Sequence, residues 1–517
     1  MIKSDKIIVV GGGSAGWMTA ATLISQFPNK DITVIESPNT PTVGVGESTL
    51  NHLNNWLSVL GIKDEDFMPY TDASYKLSIR FEDFYKKGDG GFHYPFGSIF
   101  NNDLSYGKQN WFFTKEDNEY CYADFINTNM PLVNQNTLFK NENNELPNFS
   151  FKNDVAYHFD ATKFGNWLRE NYCKPKGVNH ILDDIVVDDI EINEDGNIVS
   201  LNNKYYADMF IDCTGFSAIL MNKVNAKWIN YEDLLPNNKA WATRVPYTNK
   251  EKQLEPYTNC TAIENGWVWN IPSWERIGTG YVYSDKYVSD EEALNEFKRH
   301  LDSKGHNYTN SEFKNIRMRV GIYDKIFLKN VCGIGLAAGF IEPLESNGLL
   351  SVHQFLIYLV KVMQRDGGNL CQYDIDAFNF ASKQFFDTFA QFVSTHYALS
   401  HRDDTKYWKD ISKKPYSEIG KNLTGINYFE KDFDVIMTDF SLFNDSFGSN
   451  YITTGFNFDA YGKTEIHKIY DISPQQFEKI KKENKYRNDL VRKWNNLAKT
   501  KDSLHDFLKK HIHNKEI

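Results

Sequence analysis

The chain has 517 residues, 41% hydrophobic and 24% charged, the balance of a folded globular protein with room for about three domain-sized units or two interlocked domains. Its formal net charge of -11 argues against nucleic acid and anionic membrane surfaces as partners, because both need clustered Lys and Arg. Aromatic residues make up 15%, enough to fill a core and also line a site for a flat ligand.

In chain order, Lys6–Val10 (KIIVV) reads as a short buried strand, too short for a secretory signal. It runs into GGGSAG at Gly11–Gly16, after which MTAATLISQF reads as a helix and Asp31–Glu36 (DITVIE) as the next strand. A strand–turn–helix–strand unit of about 30 residues with these glycines is the opening of a dinucleotide-binding fold. Gly11 permits the tight turn, Gly13 lets the backbone approach a pyrophosphate, and Gly16 lets helix and strand pack closely. The helix N-terminus offers free N–H groups, and Glu36 ends the second strand where a carboxylate can accept from ribose hydroxyls.

Ser37–Thr49 is a Pro- and Gly-rich loop ending in GVGEST, followed by an amphipathic helix in LNHLNNWLSVLG. ASYKLSIRF alternates: as one strand, it sets Lys76, Ser78 and Arg80 opposite Tyr75, Leu77, Ile79 and Phe81. Residues 85–155 read as irregular and Tyr157–Asn171 as helical. Short strands lead to YADMFIDCTGFS, where Asp212 and the Thr214–Gly215 turn offer a second, discontinuous contact. That suits a resident flavin better than a dissociating nicotinamide.

A middle sheet is expected over residues 235–285. It includes GWVWNIP (Gly266–Pro272), whose Trp267 and Trp269 share one strand face as an aromatic wall. Residues 290–303 read as a helix. VCGIGLAAGFIEPLESNG reads as strand, Gly-rich turn and helix onset, and Leu349–Gln364 as a strong helix by its apolar spacing. The remainder reads as mostly helical, its last 40 or so residues solvated and alternating in charge. No stretch approaches the roughly 18 apolar residues of a membrane helix. Six widely spaced cysteines without Cys-x-x-Cys predict buried reduced thiols, no disulfide and no metal site, in a cytoplasmic protein.

The segments GGGSAGW, GVGEST, ASYKLSIRFEDF, AYHFDATKF, FIDCTGF, GWVWNIP, GTGYVYS, GLAAGFIEPLESNG and HYALSHRDDTKYW resemble, in order from residue 6 to about 410, the flavin-dependent tryptophan halogenases. The Trp-x-Trp-x-Ile-Pro and Glu-Pro-Leu-Glu-Ser runs are far more specific than Gly-x-Gly-x-x-Gly. The resemblance implies an α/β fold in which an FAD-binding Rossmann-like domain is interleaved with a substrate-binding sheet and a mostly helical C-terminal region. The FAD-binding parts would be residues 1–50, 155–225 and 325–365, and the second module residues 51–154, 226–324 and 366–517.

It also implies a chemistry. Reduced FAD from a separate flavin reductase, oxygen and a halide ion give hypohalous acid, which passes to a lysine that directs halogenation of an aromatic small molecule. Lys76 matches that lysine, and Glu345 the family's catalytic glutamate, with Ser346 as its hydrogen-bond neighbour and Glu342 as a second candidate. The backbone N–H groups of Asn347 and Gly348 match the halide site, with Asn347 where the family usually has Thr. Trp267, Trp269, Ile271 and Pro272 would divide flavin from substrate. The expected FAD contacts are Gly11, Gly13, Ser14, Ala15, Gly16, Glu36, Ser48, Thr49, Asp212 and Gly339.

The departures concern substrate. Tryptophan-specific members hold an indole between a His-x-Phe element and late tryptophans. Here the first element is GFHYPFG, with His93, Tyr94 and Phe96 as candidates in either register, and Phe440–Tyr461 has no Trp. Another indole, a phenol, a pyrrole or a relaxed site is therefore expected as readily as free tryptophan. An FAD-dependent aromatic monooxygenase and a non-catalytic FAD- or prenyl-binding escort are the competing readings, and a homodimer is an admissible assembly.

Overall fold

The computed structural model describes residues 2–40, 47–97, 111, 119–412, 447–457 and 473–513. Its first sheet is six-stranded. Lys6–Val10 pairs in parallel with Asp31–Glu36 on one side and Met209–Asp212 on the other, so that Val10 lies opposite both Ile35 and Asp212. Asn179–Leu182 and Val331–Gly333 extend it in parallel, and Phe327–Leu328 closes one edge antiparallel. The Val/Ile runs of the central strands are buried on both faces, as a parallel sheet covered by helices requires. The helix Ser14–Gln26 packs against it. This is the expected α/β, Rossmann-like architecture.

The expected middle sheet exists but is larger than residues 235–285. It has seven strands in the order 314–317, 239–245, 277–283, 266–272, 257–263, 78–82 and 91–95. Every pairing is antiparallel except Tyr257–Ile263 with Ser78–Glu82. The last two strands come from segments far earlier in the chain, which no local period reveals.

A third sheet is small and three-stranded. Ala156–Phe159 pairs with Glu47–Ser48 and with Ser74–Lys76. This corrects two expectations. Tyr157–Asn171 is not helical from its start: the helix begins at Ala161, because the Asp160 carboxylate accepts from the N–H groups of Thr162 and Lys163 as an N-cap. And ASYKLSIRF is not one strand. It breaks at Leu77, whose N–H turns to Pro256 O, and its two halves join different sheets.

Other segments follow the sequence more closely. Asp290–Ser303 and Gly348–Gln364 are helices, and the described part of residues 85–155 includes a strand at Gly91–Pro95 and short helices at Tyr122–Ile126, Met130–Gln135 and Phe151–Asp154. Pro474–Ala498 is the charged late helix, though it buries Val491 and Trp494. All six cysteines are unpaired. Four are buried, but Cys121 is exposed and Cys371 half-buried, so thiol burial is not uniform. Among the described residues no helix is long and apolar enough to cross a membrane.

Candidate active site

A cavity of about 470 Å³ opens at the C-terminal end of Lys6–Val10 and is lined by Gly11, Gly12, Gly13, Ser14, Ala15, Glu36, the 213–217 turn, Gly339, Asn347 and Gly348, among others. Glycine makes its floor. Gly11 has φ +112°, and a methyl group on it would lie 2.3 Å from Cys213 O; one on Gly16 would lie 1.8 Å from Gly11 O. Gly16 therefore sits behind the cavity wall, fixing the close helix–strand approach. Gly13 caps the helix, so the N–H groups of its first turn, which lack intrahelical acceptors, face the space. Glu36 lines the rim, its Oε2 2.9 Å from His180 Nε2 and 3.3 Å from Arg169 Nη1.

Asp212 is not among the lining residues. It is fully buried, and its carboxylate accepts from Thr214, Leu220 and Met221 N–H and from the Thr214 hydroxyl. It shapes the turn that lines the cavity. Ser48 and Thr49 also lie elsewhere, beside Lys76.

Lys76 is fully buried. Its Nζ donates to Thr49 O and Ser346 Oγ, both at 2.8 Å, and stands 4.8 Å from the centroid of the Phe96 ring. Burial drives its ammonium down to about 7, against the opposing pull of Cys260 and Glu345. Ser346, expected beside Glu345, is instead the partner of Lys76 and of Ser48.

Glu345 lies in the turn Pro343–Glu345, 1% exposed. Its Oε1 is 2.6 Å from His396 Nε2, a contact whose angles fall short of a hydrogen bond. His396 Nδ1 lies 3.2 Å from Phe392 O and Val393 O, which only accept, so Nδ1 carries a proton. Glu342 faces another way: its Oε2 accepts from Asn237 Nδ2 at 2.8 Å and Trp267 Nε1 at 3.2 Å. It positions the first indole of the Trp-x-Trp pair.

Trp267 and Trp269 are buried with ring centroids 6.3 Å apart, edge to face. Trp269 lies over Gly280, its cross-strand neighbour, where a methyl would come within 2.2 Å of the ring. Neither indole lines the 470 Å³ cavity. Pro272 O, at the end of the same strand, accepts the Ser74 hydroxyl at 2.6 Å.

Ser346 has φ +57° and Asn347 φ −84°. Left-handed followed by right-handed backbone turns successive N–H groups toward one point, a nest suited to an anion. Asn347 and Gly348 both line the cavity, and Glu47, also in its lining, stands so that a methyl on Gly348 would lie 3.5 Å from Glu47 Oε2. Burial first, then the charge of Asp160, pushes the Glu47 carboxyl up to about 7. An ionised Glu47 would repel a halide there and a protonated one would not. Bromide affinity is therefore expected to weaken by about tenfold from pH 6 to pH 8, a modest charge–charge term at short range. Tryptophan-fluorescence titration of wild type and Glu47→Gln would show this, with the variant flat across the range.

The register of GFHYPFG is now plain. His93 lies opposite Arg80, bonds Ser78 Oγ through Nδ1 at 3.0 Å and packs on Tyr257. Tyr94 and Phe96 alternate onto the other face, where Phe96 meets Lys76 and Tyr94 lies 5.6 Å from the Tyr451 ring. Of Phe440–Tyr461, only residues 447–457 are described, and the Gly44–Gly46 part of GVGEST also lies outside the described residues.

Four residues of the site were not singled out from sequence: Glu47, His158, Thr258 and His396. Glu47, His158 and His396 sit inside the segments GVGEST, AYHFDATKF and HYALSHRDDTKYW. Their burial as polar residues is the signal, and only tertiary structure displays it.

A model of the tryptophan halogenase family matches residues 6–463. Over 433 residues the chain is 34% identical to the 7-chloro-L-tryptophan 6-halogenase KtzR of Kutzneria sp. (strain 744), covering 79% of this chain and 82% of that protein. Among solved structures, the apo form of VirX1 superimposes with a TM-score of 0.88 at 35% identity, covering 99% of this chain and 100% of that one. The tryptophan 6-halogenase SttH from Streptomyces toxytricini gives 0.81 at 29% identity, covering 97% and 99%.

Proposed function

Because the chain belongs to the tryptophan halogenase family and is a flavin-dependent halogenase acting on aromatic compounds, we propose that Lys76, Glu345 and the Asn347–Gly348 turn carry its halogenation step. The glycine-floored cavity fits FAD: it combines a helix N-terminus for a pyrophosphate, a carboxylate at Glu36 for ribose hydroxyls, and a turn in which a Cβ at Gly11 or Gly12 would collide with Cys213 O or the Glu36 side chain. Residues 1–50, 155–225 and 325–365 form the flavin-holding parts of this reading, and residues 51–154, 226–324 and 366–517 the second module.

Reduced FAD, delivered by a separate flavin reductase, supplies with oxygen and halide the hypohalous acid. The chain's own residues do the rest. The Asn347 and Gly348 N–H groups hold the halide at the cavity edge. Lys76, in its amine form, meets the hypohalous acid by hydrogen bond or by forming a haloamine. Phe96 and Tyr94 flank an aromatic substrate, and the Glu345 carboxylate takes the proton released from the halogenated ring carbon. Trp267 and Trp269, with Ile271 and Pro272, keep substrate from the flavin. The observation that carries the reading is a fully buried lysine held only by neutral acceptors, 2.8 Å from the hydroxyl that begins the halide turn.

The direct experiment supplies reduced FAD, oxygen and chloride, bromide or iodide in turn to a panel of indoles, phenols and pyrroles, scored by mass spectrometry. A halide-dependent mass shift on at least one aromatic is expected. No product in any combination would sink the proposal.

A further inference from the structure

Lys76 begins a buried row of polar side chains whose far members, Ser48, Thr258 and His158, have no part in the halogenation step described. Its Nζ donates to Ser346 Oγ at 2.8 Å; Ser346 Oγ is 3.0 Å from Ser48 Oγ, Ser48 Oγ 2.6 Å from Thr258 Oγ1, and Thr258 Oγ1 2.9 Å from His158 Nε2. None of the five is more than 7% exposed. They come from separate strands and a turn, so the fold assembles the row from five distant points of the sequence.

The two ends fix the direction of every bond. An ammonium only donates, so Ser346 accepts from Lys76 and its own proton turns to Ser48. At the far end, Pro272 O only accepts, and it lies 3.2 Å from His158 Nδ1. Nδ1 therefore carries the imidazole proton and Nε2 the lone pair, which accepts the Thr258 hydroxyl. Ser48, between them, donates to Thr258. The result is an unbroken head-to-tail chain from Lys76 through Ser346, Ser48 and Thr258 to His158.

We propose that this row is a proton relay that converts Lys76 from ammonium to amine, with His158 as the acceptor. Lys76 gives a proton to Ser346 Oγ, Ser346 passes its own to Ser48, Ser48 to Thr258, and Thr258 to His158 Nε2. Each hydroxyl loses one proton and gains one, the products are the Lys76 amine and a His158 imidazolium, and no electrons change hands. Once the amine has acted, the proton returns by the same path. The relay rests on the reading of Lys76 as the amine that meets hypohalous acid, and it lets a lysine shut off from water reach that form. Ser48, Thr258 and His158 act through Lys76 and are positioning residues.

At rest the surroundings keep the proton on Lys76. The groups facing Lys76 are Glu345, Cys260 and His158. Burial, and then the positive charge of Lys76, hold the His158 imidazole well below its ordinary value, while Pro272 O favours its protonation. The second of these causes vanishes as Lys76 gives up its proton, so the transfer makes its own acceptor more basic.

The test uses the full chain with FAD bound. Thr258→Val keeps the shape of the side chain and removes the relaying hydroxyl. In single-turnover bromination of indole it is expected to slow product formation about a hundredfold, the scale of a positioned proton transfer, with FAD affinity unchanged. Thr258→Ser restores the hydroxyl but leaves a cavity; it is expected to recover most of the rate, where a packing role would predict further loss. A measurement without turnover stands beside it. Histidine 15N NMR, with His158→Gln for assignment, is expected to show His158 as the neutral Nδ1–H tautomer, its signal moving in Lys76→Met. A Thr258→Val enzyme with wild-type rate, or a neutral His158 protonated on Nε2, overturns the relay. A Lys76→Met enzyme that brominates normally overturns the assignment of Lys76 instead, which keeps the two failures apart.

Discussion

Replacing Lys76 with alanine is expected to cut halogenation by roughly three orders of magnitude, within the range for loss of a positioned acid–base or nucleophilic group, while FAD binding stays intact. The separation follows from geometry: Lys76 lies outside the lining of the glycine-floored cavity and inside a separate polar cluster. Mass-spectrometric product yield and an FAD titration on the same preparation check both halves. Normal halogenation would overturn the assignment. A second readout concerns stability. The folded state holds the ammonium down to about 7, whereas an unfolded lysine titrates near 10.4. Between those values the unfolded chain binds the extra proton, so stability rises with pH across this window, and below pH 7 the cost of the buried charge is fully present. Lys76→Met removes that charge, and its thermal midpoint is expected to gain over wild type more at pH 6 than at pH 10.

Glu345→Gln is expected to slow halogenation by about a hundredfold, the loss typical of a general base, without weakening bromide or FAD binding. The carboxylate is 1% exposed and its Oε1 is 2.6 Å from His396 Nε2. An amide at that distance can donate to Nε2 but cannot take a proton from a cationic ring carbon. His396 sits in an aromatic surround of Phe81 and Phe392, with ring centroids at 4.8 and 5.4 Å. Rapid-quench measurement of product formation against halide concentration separates the two effects. A changed bromide affinity with an unchanged rate would mean that Glu345 shapes the halide turn rather than the proton transfer.

Legibility divided along a physical line. The Gly11–Gly16 turn, the Asp31–Glu36 strand and the Gly348–Gln364 helix are local: their residues meet neighbours within a few tens of positions, so period and turn chemistry reveal them. The break at Leu77 and the strand at Ala156–Phe159 escape local pattern because both are set by pairing across the sequence. A polar residue at Lys76 or His158 looks solvated by pattern alone; burial under a second sheet overrides that pattern.

By itself, then, the sequence determined a dinucleotide turn closed by Glu36, and through its rarer runs the halogenase family with Lys76 and Glu345 as candidates. These depend on residue type and spacing along one segment, which the chain carries wherever it folds. Tertiary structure alone decided that Ser346 serves Lys76 rather than Glu345, that Tyr94 and Phe96 rather than His93 share the Lys76 side, and that Thr258 and His158 complete a row beginning at the lysine. Hydrogen bonds of about 3 Å between residues up to 298 positions apart are made by the packing of sheets, and no period in the chain encodes them.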